Sequence, residues 1–224
     1  MKTNAQIRQE SLSLMKGNWG AGIGVMLVYG LIALAITFVC GALGKALIPG
    51  GDPLQAALSE QSGSFLSGVV NIVLVYPMEF AAMMMFLAFV RGEKSLSVEG
   101  LFKAFNSKYY GKSVGVLWLA HFFTVLWTLL LIVPGIIKGL SYSLAPYILA
   151  DNMELTANEA IEKSMKMMKG HKMQLFWMLL GYAGFALLSV VALCIPLLWL
   201  TPYYQSVMAK FYEEVKSGYV EEAC

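Results

Sequence analysis

Trp19 to Gly44 reads WGAGIGVMLVYGLIALAITFVCGALG and holds no charged residue. A helix needs roughly 20 such residues to cross about 30 Å of hydrocarbon, and this run exceeds that length. Lipid is the simplest solvent for it. The rest of the chain reads the same way. Of its 224 residues 58% are apolar and only 13% charged, whereas a soluble domain carries about a quarter charged residues. Apolar runs bounded by polar, Gly or Pro punctuation predict six spans, roughly 19–46, 65–90, 114–133, 136–150, 173–195 and 196–212. Pro134-Gly135 and Pro196 sit where an apolar run must turn back, so spans three and four, and five and six, should form tight hairpins. The fourth span is short enough to require thinning of the bilayer, burial against its neighbours or a partial crossing.

Charge placement sets an expected orientation. Lys2, Arg8 and Lys16 precede the first span; Arg91, Lys94, Lys103, Lys108 and Lys112 follow the second. Lys163, Lys166, Lys169 and Lys172 follow the fourth, and Lys210 and Lys216 lie near the end. All of these fall on one side, which the positive-inside rule makes cytoplasmic, and only Lys45 and Lys138 are left to snorkel at the outer face. Both termini are therefore expected in the cytoplasm, and the location expected is a bacterial cytoplasmic (inner) membrane. The first span follows basic residues as a signal peptide would, but it runs past Cys40 without a cleavage site and is read as retained. Cys40, Cys194 and Cys224 form no Cys-x-x-Cys pair or metal-ligand spacing and read as packing residues.

The segments between spans carry helix signals. Thr156-Ala157-Asn158-Glu159 is a capping box, with Leu155 and Ala160 placed as a hydrophobic staple. Ile161, Met165 and Met168 then share one face, opposite the Glu159/Lys163 and Glu162/Lys166 pairs, which suits an interfacial amphipathic helix. Similar patterns start at Thr3, ahead of Ile7 and Leu14, and at Ser97, ahead of Leu101, Phe102 and Phe105. Together they suggest a unit used three times: interfacial helix, basic Gly-containing junction, outgoing span and proline-bearing return span. The junctions are Met15-Lys16-Gly17-Asn18-Trp19, Lys108-Tyr109-Tyr110-Gly111-Lys112 and Met168-Lys169-Gly170-His171-Lys172, and the return spans carry Pro77, Pro146 and Pro202. Either the sequence repeats internally, or an easily inserted hairpin unit recurs.

Leu131-Ile132-Val133-Pro134-Gly135-Ile136-Ile137 followed by Ser141 to Asp151, SYSLAPYILAD, resembles the DUF975 family of bacterial membrane proteins of unknown function. The resemblance continues through Asn158-Glu159-Ala160-Ile161, Ser164 and Met167 to Lys172, and ends at Trp199 to Tyr203 and at Phe211-Tyr212. Arg91-Gly92-Glu93, Leu101 to Phe105 and Lys16 to Trp19 extend it over nearly the whole chain. It implies a multi-pass membrane protein, distantly similar to membrane domains attached to some glycerophosphodiester phosphodiesterases, with no settled activity to carry over. The chain departs from the family at Glu79, where a small or polar residue is expected after the proline.

Glu79, two residues after Pro77 and well inside the second span, is the leading candidate site. A carboxylate there costs a few kcal/mol unless paired, protonated or wet. It reads either as a proton or cation site beside a loosened helix, or as a hydrogen-bonded packing residue. Asn71, two turns earlier, is expected to share its environment. His121 has no second His, Cys or acidic neighbour at ligand spacing and is assigned no chemistry. Lys169, His171 and Lys172 are candidates for lipid headgroup contact. Pro77, Pro146 and Pro202 are expected to kink their helices. Most Tyr and Trp residues fall near span ends and read as interfacial, while Met83-Met84-Met85 suggests an adaptable surface.

No nucleophile elbow, phosphate loop or dinucleotide fingerprint occurs, and the segments between spans are too short for a catalytic domain. The expectation is one all-α, polytopic membrane helical bundle over residues 1–224, with no catalytic residue, metal or cofactor. Its expected role is a scaffold or accessory protein that engages the lipid bilayer, another membrane protein or its own copy, and no nucleic acid. The alternative is a small transporter or channel with Glu79 in its pathway.

Overall fold

The structure, a computed structural model, describes residues 2–48, 52–93, 95–191 and 195–223. Lys94, Cys194, Cys224 and the side chain of Lys108 lie outside the described residues. The elements are α1 (Asn4–Met15), α2 (Trp19–Leu47), α3 (Pro53–Val70), a π-turn (Asn71–Val75), α4 (Tyr76–Val90), a 3₁₀-helix (Val98–Phe105), α5 (Ser107–Leu130), α6 (Ile132–Tyr142), α7 (Ala145–Asp151), α8 (Ala157–Met167), α9 (Lys172–Val191) and α10 (Leu197–Ala223). No strand occurs among the described residues. Five of the helical segments are long and apolar enough to cross a membrane.

The second span differs most from its expected bounds. Pro53 opens it at a first-turn position, where the missing N–H is harmless, and α3, the π-turn and α4 form one 38-residue rod. At 1.5 Å per residue the rod is about 57 Å long, nearly twice the hydrocarbon thickness. Its start, bearing Gln55, Ser59, Glu60 and Gln61, is polar enough to stand beyond the bilayer. The hairpin between α5 and α6 turns at Leu131, whose extended backbone (φ −158°, ψ 135°) separates the helices, and not at Pro134-Gly135. Pro134 falls instead in the first turn of α6, and Gly135 lets α5 approach where a Cβ would strike Thr128. The fourth span runs from Ile132 to Asp151 but is broken at Ser143-Leu144, with Pro146 restarting the helix as α7. The sixth expected span is the first part of α10. That helix passes through Pro202 without interruption and runs on as a charged helix, so it falls outside the five apolar segments.

The core lies toward one end of the bundle. Phe80, Phe86, Leu101, Leu144, Tyr147, Leu149, Met168 and Phe211 are fully buried there. Apolar residues nearer the hairpin tips, including Leu34, Phe38, Phe65, Leu129 and Leu187, are exposed, as a lipid solvent allows. The buried end carries the basic segments: Lys2 bonds Glu214, Asn4 donates to the Gln174 carbonyl, and Arg91 bonds Asp151 and Glu213. At the other end Lys138 places its ammonium 4.9 Å from the centre of the Trp127 ring, satisfying the charge by a cation–π contact.

α1 and α8 are built alike. Thr3 with Gln6 and Thr156 with Glu159 both close capping boxes. Ser11 and Ser164 are both fully buried, as are Met15 and Met168. Gly17 and Gly170 end the two helices at φ +89° and +82°, a conformation that costs other residues about 1–2 kcal/mol. Each pair falls at the same spacing along the chain. The middle unit differs: its junction glycine, Gly111, lies inside α5, and its leading segment from Ser97 is a 3₁₀-helix. The apolar faces of α1 and α8 are also turned inward. Ile7, Met15, Ala160, Ile161 and Met168 are buried within the bundle.

Candidate functional site

The site begins with a proline. Pro77 has no N–H, so the carbonyl of Val73 one turn earlier loses its helical partner. Residues 71–75 widen into a π-turn at this point, and the Tyr110 hydroxyl, from the start of α5, donates to the Val73 carbonyl at 3.0 Å. π-turns inside α-helices are rare and recur at functional sites. The α4 segment that follows carries Glu79 into the bundle.

Glu79 lines a cavity of about 270 Å³ bounded by α4, α5, α6, α7 and α10. Facing it are His121 and Thr124 from α5, Ser143 and Tyr147 from the broken fourth span, and Tyr204 from α10. Glu79 is half-buried, and among the described residues no hydrogen bond or ion pair occupies its carboxylate. His121 is exposed on the cavity wall and stacks on Tyr76, ring centres 5.3 Å apart. Its Nδ1 lies 2.8 Å from the Leu117 carbonyl. A carbonyl can only accept, so the proton sits on Nδ1 and the other ring nitrogen is left as an acceptor when the imidazole is neutral. The two titratable groups share the cavity without touching. A carboxylate and an imidazole set apart in this way can hold a proton, water or a small cation between them.

Under the cavity lies a closed floor. Tyr147 is fully buried, its hydroxyl 3.5 Å from Gln205 and its ring stacked on Tyr212 at 5.6 Å between centres. The Tyr212 hydroxyl donates to Asp151 at 2.6 Å. Arg91 then clamps two carboxylates, with Nη1 and Nη2 at 2.6 and 2.9 Å from Asp151 and Nε and Nη2 at 2.9 and 2.6 Å from Glu213. Lys216 adds a second cation, 2.7 Å from Asp151. The bonds to Asp151, opposed by partial burial and reinforced by Glu213, hold the Arg91 guanidinium well above its ordinary value. The network ties the ends of α4 and α7 to the middle of α10.

Asn71 does not line the cavity: it sits two turns before Glu79, and its amide donates back to the Ser67 carbonyl at 2.8 Å. Lys169 is exposed, and His171 and Lys172 are half-buried at the α8–α9 junction, remote from the cavity. Pro77 and Pro146 stand at helix restarts, and Pro146 lines the cavity, whereas Pro202 sits inside a continuous helix. No group of three or more His, Cys, Asp or Glu that could hold a metal occurs among the described residues. Reading the sequence alone missed the pairing of His121 with Glu79, because the two lie on different spans. It also missed the Arg91 cluster, although three charges at the basic ends of spans two, four and six were a usable signal.

A model of the family described as a protein of unknown function, DUF975, matches residues 1–138 and 128–218. No curated protein and no solved structure matches the chain.

Proposed function

This chain belongs to the DUF975 family, matched over nearly its full length, and within that family we propose that it is a small, non-enzymatic transport protein carrying a proton or a small cation through the Glu79–His121 cavity. The observation that supports this reading is the Glu79 carboxylate, free of protein partners among the described residues and facing an imidazole across open space within the spans. Intramembrane ionisable groups mark ion and proton pathways, since their cost is tolerated only where they bind something. The broken fourth span beside the cavity fits the same reading, because irregular backbone at membrane depth is stable where it lines a cavity. The basic end, with both termini, is assigned to the cytoplasm of a bacterial inner membrane.

The scaffold role fits less well. It needs the apolar faces of α1 and α8 for lipid or a partner, and those faces are used inside the bundle.

The test is proton flux in proteoliposomes holding a pH-sensitive dye, driven by an imposed membrane potential. Glu79→Gln removes the charge and keeps the shape, and is expected to slow flux at least tenfold, with His121→Ala also slowing it. Equal flux in wild type and both variants, or none above protein-free vesicles with any common monovalent cation, sinks the transport reading.

A further inference from the structure

Arg8 leaves the surface of α1 and enters a crevice between α9 and α10. Its Nη2 donates to the Met178 carbonyl at 3.2 Å. Met178 lies six residues into α9, about 9 Å along the axis from its start. Residue 181 is glycine, and a Cβ there would lie 2.5 Å from Nη2, so a larger residue would displace the guanidinium from this position. Among the described residues no carboxylate pairs with Arg8. Nearby acids are already engaged, Glu10 by Lys2 at 2.8 Å and Lys210 at 3.9 Å, and Glu214 by Lys2 at 2.9 Å. Lys172, the first residue of α9, and Lys169, in the turn before it, also make no ion pair among the described residues. A cation this far into a span without a counter-ion is expensive.

The crevice in front of Arg8 measures about 60 Å³. Tyr182, Tyr203 and Tyr204 line it together with Phe185 and Leu200. That space suits a compact anionic group. The apolar wall runs from Phe185 onto Leu188, both exposed on α9, where a hydrocarbon chain would lie.

We propose that this crevice is a binding site for an anionic phospholipid, with Arg8 pairing to its phosphate and the acyl chains lying outside against α9. An Arg fork matches phosphate oxygens in a bidentate arrangement. The unpaired charge of Arg8 disfavours the ammonium of a zwitterionic headgroup and selects a lipid of net negative charge. The site lies beside the Glu79 cavity and shares Tyr204 with its lining, but Glu79 itself takes no part in it.

The experiment is native mass spectrometry of the full-length protein in detergent, titrated with phosphatidylglycerol, phosphatidylcholine or inorganic phosphate. Wild type is expected to bind phosphatidylglycerol about tenfold more tightly than phosphatidylcholine and to show no protection by phosphate. Arg8→Ala and Gly181→Leu, the second of which keeps the charge but displaces it, should both lose the preference. Glu79→Gln should retain it. Equal affinity for the two lipids in wild type, a preference unchanged in Gly181→Leu, or phosphate competing as well as the lipid would each overturn the proposal. The wild-type comparison and Gly181→Leu decide the matter even where Arg8→Ala does not fold.

Discussion

Arg91 uses its planar fork on two carboxylates from two other helices, a geometry that a lysine's single point charge cannot reproduce. Removing it leaves Glu213, 32% exposed, without its ion-pair partner, and Asp151, 14% exposed, with Lys216 alone. Breaking a fully buried pair costs about 3–5 kcal/mol, and the partial exposure here reduces that. Arg91→Ala is therefore expected to destabilise the protein by about 2 kcal/mol, with Arg91→Lys recovering less than half, measured by thermal unfolding in detergent. A loss no larger than that of an exposed surface pair would show that the network carries no weight. At this scale the sequence reveals types and not partners. It marks Glu79 as out of place in a span, but the imidazole opposite it comes from another span, and no spacing rule connects position 79 to position 121.

Among the elements, the first hairpin depends on missing side chains. α2 and α3 touch through Gly44 and Gly63, where a Cβ on Gly44 would lie 2.6 Å from the Gly63 backbone and 2.7 Å from the Ser59 carbonyl. Small residues let the backbones of neighbouring helices approach this closely. Gly44→Ala forces the backbones apart and should cost about 1–3 kcal/mol, whereas Gly24→Ala, which meets open space, should be neutral or slightly stabilising. Equal effects of the two substitutions in a thermal-shift assay would contradict the close contact. Helix existence was legible from apolar runs and from the two capping boxes. The long α3–α4 rod was not, because a polar helical extension has no apolar run to announce it.

Across the whole molecule, the chain's two ends meet. Lys2 bridges Glu10 and Glu214, joining the first helix to the last, while Asn4 and Gln174 exchange bonds with the backbones of α9 and the N-terminal segment. Burial pushes the Glu214 carboxyl up, but the Lys2 ammonium and backbone N–H outweigh it and leave the group below its ordinary value of 4.5. A carboxyl with a lowered folded-state value binds fewer protons folded than unfolded, so its contribution is present above about pH 4.5 and is lost as pH falls through the lower folded value. Acidification below pH 4.5 should thus release α1 from α10, seen as faster hydrogen exchange in α1, and Glu214→Gln should show that faster exchange already at neutral pH. Exchange in α1 that ignores both changes would place its anchoring elsewhere. Composition, span lengths and the one-sided placement of Lys and Arg determine a polytopic helical membrane protein and its expected orientation, because transfer into hydrocarbon depends on local apolarity alone. Tertiary structure decided that α1 and α8 turn their apolar faces inward, that Glu79 shares a cavity with His121, and that Arg91, Asp151 and Glu213 join, because these depend on which helix faces meet, and lipid is indifferent to that choice.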